Sequence, residues 1–251
     1  MGARREVAMW LQCEKERSEP QARFGELPWP GTETLNILAD LNEQCLELLL
    51  EQAHCGDASG SAPLRELGEL LPALDAPSRR RAATCPYLLV DAGFADPHRW
   101  RWASAPRVAD REPVAGAAFF TVPGVTRLAH QIFNNAWYMA RMQPVGVTLF
   151  LGMPAGCAAL LRACTMRRLT DLAERQTSWL RPRWINRTPL WRELLMAAIA
   201  GEEPALERAR LRGVQLLAGE LYAHDSAVGL AAASAAASKV HAERPQAAKV
   251  M

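Results

Sequence analysis

The stretch LFLGMPAGCAALLRACTMRRLTDLAERQTSWLRPRW, residues 149–184, decides what kind of fold this chain adopts. Pro154 to Ala163 and Met166 to Arg175 read as two helices joined by a tight turn, with Thr165 placed to cap the second. Trp179 to Trp184 reads as extended. Upstream, Met142 to Leu161 carries no charge over 20 residues, the length of a membrane-spanning helix. Gly152-x-x-x-Gly156 even has the spacing of a membrane dimerisation motif. Pro144, Gly146, Gly152, Pro154 and Gly156 interrupt the run, however. It therefore reads as a buried loop or short strand, a turn, and a helix opening at Pro154.

Working outward, Leu35, Leu38, Leu41, Cys45, Leu48 and Gln52 step at helical spacing and predict an amphipathic helix over about 33–53. Further helices are expected over 64–74, 77–83, 125–142, 189–200 and 204–222, and Tyr87 to Val90 reads as a short strand. Leu38-Ala39 recurs as Leu128-Ala129, and Leu70-Leu71 as Leu160-Leu161, both 90 residues on. The expected organisation is a polar lead (1–31), a first helical repeat (32–102), a linker (103–124), a second repeat (125–222) and an Ala-rich tail (223–251), either disordered or a fraying helix. The fold class is mostly α, two similar helical halves with short extended segments.

The composition is globular: 251 residues, 49% hydrophobic, 22% charged, net charge +2. Six cysteines form no CxxC pair, and no histidine stands at zinc-finger spacing, so neither a structural metal nor another cofactor is expected. No apolar run follows Arg4 and Arg5, and the expectation is a cytoplasmic chain with free thiols. No enzyme motif is present. Asp91, Asp96 and His98 are the residues a turn-rich loop collects anyway, and His224-Asp225-Ser226 has triad residue types without triad geometry. Asn186-Arg187-Thr188 is a formal glycosylation sequon without meaning in a cytosolic chain. The chain reads as non-catalytic.

The positive signal is electrostatic. Arg162, Arg167, Arg168, Arg175, Arg181, Arg183, Arg187 and Arg192 face only Asp171 and Glu174 in the same window. Arg167 and Arg168 fall in the first turn of a helix, where cations oppose the helix dipole. Trp179, Trp184 and Trp191 lie among them, and indole stacks with arginine. Two readings stay open. The eight arginines contact DNA phosphates, or they form a solvated face against an acidic neighbour such as Glu43, Glu47 and Glu51.

Leu151-Gly152, Ala158, Leu161, Thr165, Leu172-Ala173 and Arg181-x-Arg183-Trp184 together resemble the FlhD family, the D subunit of the bacterial flagellar master transcriptional regulator. The resemblance covers Val125 to Gly219, with a fainter copy in residues 34–102. It departs at Pro182, where the family has an aromatic residue, and at Leu180, where cysteine is frequent. The chain is also about twice the family's usual size. The resemblance implies intertwined long helices, a homo-oligomer or one chain mimicking the dimer, and DNA binding with an FlhC-like partner. The implied role is activation of flagellar or mobile-element transfer genes. The rival expectation is an accessory subunit of a secretion or conjugation apparatus. There, the surface around Trp137, Tyr138 and Met139 docks a partner.

Overall fold

Periodic burial of leucine builds the longest packed helices. In α1 (Thr32–His54), Leu38, Leu41, Cys45, Leu48 and Leu49 are buried on one face. In α5 (Val125–Met142), Leu128, Ala129, Ile132, Phe133, Ala136 and Met139 are. The structure is a computed structural model and describes residues 31–55, 62–105 and 117–242. Among the described residues it is mostly helical. Between α1 and α5 lie α2 (Ala62–Glu66), α3 (Ala76–Ala83), strand β1 (Val90–Asp91) and α4 (Pro97–Ser104). After α5 come α6 (Pro144–Leu151), α7 (Ala155–Ala163), α8 (Met166–Arg175), a single 3-10 turn (Thr177–Trp179), β2 (Arg181–Pro182), α9 (Thr188–Ala200) and α10 (Glu203–Ala242).

The order of elements recurs. Counterparts α1/α5, α2/α7, α3/α8, β1/β2 and α4/α9 begin 90 to 93 residues apart. The caps recur too: Asp75 accepts from the Ser78 amide at 2.8 Å and Thr165 from the Arg168 amide at 3.3 Å. β1 and β2 pair antiparallel with each other, Val90 opposite Pro182 and Asp91 opposite Arg181. Each strand is followed by a residue in the left-handed region, Gly93 (φ 70°) and Trp184 (φ 54°). A buried indole then ties the turn down. Trp100 Nε1 donates to Gly93 O at 3.0 Å, and Trp191 Nε1 to Arg183 O at 2.8 Å.

The halves interpenetrate. α1 packs on α3 and α5 on α8 within their own halves, and α1 meets α5 between them. The last helix of each half crosses over: α4 lies on α7 and α8, while α9 lies on α3. One continuous core results, centred on Trp100, Phe133 and Trp179 with edge-to-face rings 6.1–6.4 Å apart. Buried Asn42 stitches α1 to the 83–89 segment. Its amide donates to Ala83 O and Tyr87 O, and its oxygen accepts from the Leu89 amide at 2.7 Å.

Three expectations need correction. Residues 144–151 are helix rather than loop or strand, because Pro144 at the first turn loses no needed donor and Gly152 (φ 64°) supplies the left-handed stop. The uncharged run is thus two short helices bent by 118°, and among the described residues no single helix is long and apolar enough to cross a membrane. Helix 64–74 stops at Glu66, short of Gly68 and Pro72, and continues as turns that still bury Leu67, Leu71 and Leu74. The strand over 87–90 shrinks to its end, because the Leu88 and Leu89 amides are taken by Phe150 O and Asn42. Residues 223–242 continue α10, the helical form of the tail that the sequence left open beside disorder. The lead 1–30 and the tail 243–251 lie outside the described residues.

Candidate nucleic-acid interface

A guanidinium group satisfies a helix C-terminus well, because several last-turn carbonyls are left without intrahelical donors and the helix dipole favours a cation there. This chain uses arginine that way repeatedly, always from another element. Arg192 donates to Glu66 O at the end of α2 (3.0 Å), and Arg210 to Arg81 O at the end of α3 (3.3 Å). Arg168 donates to Ala103 O of α4 (3.0 Å), Arg183 to Leu151 O of α6 (2.7 Å), Arg141 to Arg162 O of α7 (3.2 Å) and Arg81 to Ala198 O of α9 (2.8 Å).

The eight arginines of the 162–192 window therefore divide. Arg183 is a correction to the sequence reading: only 6% exposed, it holds Leu88 O at 3.0 Å and Leu151 O inside the molecule and cannot meet a polyanion. Burial lowers its pKa, opposed by the nearby Asp91 and Glu220, whose carboxylate lies 3.8 Å away. Arg168 is half-buried, clamped on the end of α4 with its guanidinium 4.5 Å from the Trp102 ring. Arg192 is exposed but tethered to α2.

Arg162, Arg167, Arg175, Arg181 and Arg187 are exposed, and among the described residues their side chains have no hydrogen-bonding or carboxylate partner. Arg162 and Arg167 flank Thr165, at the corner where α7 ends and α8 begins. Arg141, outside the window that sequence singled out, joins them. Its guanidinium lies 4.0 Å over Trp137 and bonds the Arg162 carbonyl, while Trp137 Nε1 donates to Cys164 O. The signal that could have found it was a basic last turn on α5. Arg181 and Arg187 instead border a cavity beside the turn after β2, and Arg175 ends α8. The eight do not form one face.

Of the acidic residues suspected of neutralising these groups, two are engaged elsewhere: Glu47 pairs with Arg79 and Glu43 with Arg80, each at 3.7 Å. Two of the acidic residues in the other candidate constellations bond backbone amides. Asp91 accepts from the Gly93 and Phe94 amides, and Asp96 caps α4 through the His98 and Arg99 amides. Among the described residues no three His, Cys, Asp or Glu side chains are grouped to hold a metal. Burial raises the Cys85 thiol to about 12 and those of Cys157 and Cys164 to about 11. They are poor nucleophiles. Exposed apolar side chains gather at the α5–α6 junction: Tyr138, Met142, Val145 and Leu149. Of the expected docking residues, Tyr138 is 54% exposed, Trp137 is half-buried and Met139 belongs to the core. No protein-family model matches the chain, and neither a curated protein nor a solved structure does.

Proposed function

We propose that the chain is a non-catalytic, DNA-binding transcriptional regulator of the FlhD type, acting with an FlhC-like partner on flagellar or mobile-element transfer genes. The observation that carries the reading is the cationic corner. Arg162 and Arg167 stand free of carboxylates among the described residues, beside an Arg141 stacked on Trp137. Cations kept at the N-terminal turn of α8 oppose its dipole, an arrangement that a bound polyanion would relieve. The recurrence of elements 90 to 93 residues apart supports one chain standing in for the family's dimer. The exposed Tyr138, Met142, Val145 and Leu149 offer a partner an apolar footing next to that corner.

The test is duplex-DNA retention by Arg162→Glu with Arg167→Glu, alone and with the partner present. Neither side chain has a partner among the described residues, so circular dichroism and melting stay unchanged while retention is lost. For milder Ser replacements, the slope of log K against log salt falls by about 2, one per phosphate contact removed. Retention equal to the parent rejects the reading. The rival assignment, an accessory subunit of a secretion or conjugation apparatus, draws on the same apolar junction. It is favoured if Tyr138→Ser with Leu149→Ser releases a partner that survives nuclease, while the arginine changes do nothing.

A further inference from the structure

The turns after β1 and β2 each border a cavity, and the two are filled differently. Beside Asp91 and Pro154 only about 70 Å³ remains, because Glu220, Leu221 and His224 of α10 enter the space. The Glu220 carboxylate accepts from Trp184 Nε1 at 2.6 Å and lies 3.8 Å from the Arg183 guanidinium. At the counterpart position, beside Pro182 and Pro63, about 690 Å³ is open among the described residues, between α1, α2, the 117–121 segment and the turn after β2. That volume suits a small organic ligand.

The lining has a consistent chemistry. Arg181, Asn186 and Arg187 are exposed on one side, without a side-chain partner among the described residues. Trp184, Phe119 and Leu64 supply apolar walls. Gln52 and Thr121 at the rim satisfy one another, with the Thr121 amide donating to Gln52 Oε1 at 2.9 Å. Trp184 reaches this position only by holding φ at 54°, a conformation that costs a bulky residue about 1–2 kcal/mol. Backbone strain of that kind gathers at ligand sites. The chain's own Glu220 carboxylate serves Arg183 and Trp184 at the smaller cavity. At the larger one, Arg181 and Arg187 have no carboxylate partner among the described residues.

We propose that the larger cavity binds a small organic anion with a flat apolar body, an aromatic carboxylate or sulfonate. Arg181 and Arg187 meet the charged group, and Trp184 and Phe119 flank the body. The inference is independent of the DNA-binding reading, which rests on the corner at Arg162 and Arg167.

Fluorescence titration of the full chain with anilinonaphthalene sulfonate, beside its neutral parent phenylnaphthylamine, tests it. The sulfonate binds one saturable site. Arg181→Ser with Arg187→Ser weakens it at least about tenfold, as expected for lost charge-assisted hydrogen bonds, and leaves the neutral dye within about twofold. Ala118→Glu, which puts a fixed carboxylate on the exposed cavity wall, weakens the sulfonate comparably. Arg162→Glu with Arg167→Glu changes nothing. In a Cys13→Ser background, bound sulfonate slows maleimide labelling of Cys55, which is exposed and lines the cavity. Unchanged sulfonate affinity in the arginine variant, or unprotected Cys55, overturns the proposal.

Discussion

After β1 the backbone turns through Gly93, and after β2 it turns through Trp184; both residues have positive φ and both turns are held by a buried indole N–H. The first is a position that favours glycine. A Cβ on Gly93 would stand 2.4 Å from Nη1 of Arg99, in a conformation that side chains avoid. The second accepts the strain in exchange for a ring that packs edge-on against Tyr87 at 5.5 Å, bonds Glu220 and walls the open cavity. The same backbone path thus serves packing in one half and presents a surface in the other. Arg181 and Arg183 show the consequence: two residues apart, one guanidinium faces solvent and the other is locked inside.

The largest effect expected from breaking this contrast is at Arg183. Arg183→Met leaves the Leu88 and Leu151 carbonyls without their donor and should cost about 3–5 kcal/mol in urea unfolding, whereas Arg181→Met should stay within about 0.5 kcal/mol. Arg183→Lys should recover only part, because an ammonium lacks the planar fork that reaches both carbonyls. Gly93→Ala comes next, at about 1–2 kcal/mol from the left-handed φ, with Arg99 displaced. Conversely, Trp184→Gly should be more stable than Trp184→Ala by about 1 kcal/mol, since only glycine tolerates that φ. Trp100→Phe and Trp191→Phe should each lose about 1–2 kcal/mol. Equal losses would mark the two turns as energetically equivalent, and unequal ones would show which half the core depends on.

The smallest effect is a pH dependence confined to the first half. Hydrogen bonds from Ser78 hold the Asp75 carboxyl below its ordinary pKa, so its stabilising contribution is full above the unfolded-chain value near 4 and fades as the pH falls through the lower folded value. Asp75→Asn should flatten the fall of the melting temperature below about pH 4. Its counterpart Thr165 does not titrate, so Thr165→Ala should lower stability by about 1 kcal/mol without changing that slope.

Much of the helical layout was legible. The periodic leucines of α1 located that helix to within a residue or two, and Thr165 was readable as a cap. The α6 segment was misread because Val145, Val147 and Thr148 look like strand residues, while its defining features are a proline start and a glycine stop. Asn42 carried no sequence signal, since nothing distinguishes a clamp on three backbone groups from an ordinary helix-surface amide. The candidate interface was half legible: the arginine density stood out, but its division between structural clamps and exposed groups did not.

Local sequence determined where helices begin and end, because periodicity, capping side chains and alanine propensity act over a few residues. Which cations face outward was decided only by the tertiary fold. The acceptors that capture Arg81, Arg141, Arg168, Arg183, Arg192 and Arg210 include backbone carbonyls on other elements. Every residue carries a carbonyl, so nothing in the order of side chains marks the few that packing leaves open to a guanidinium group.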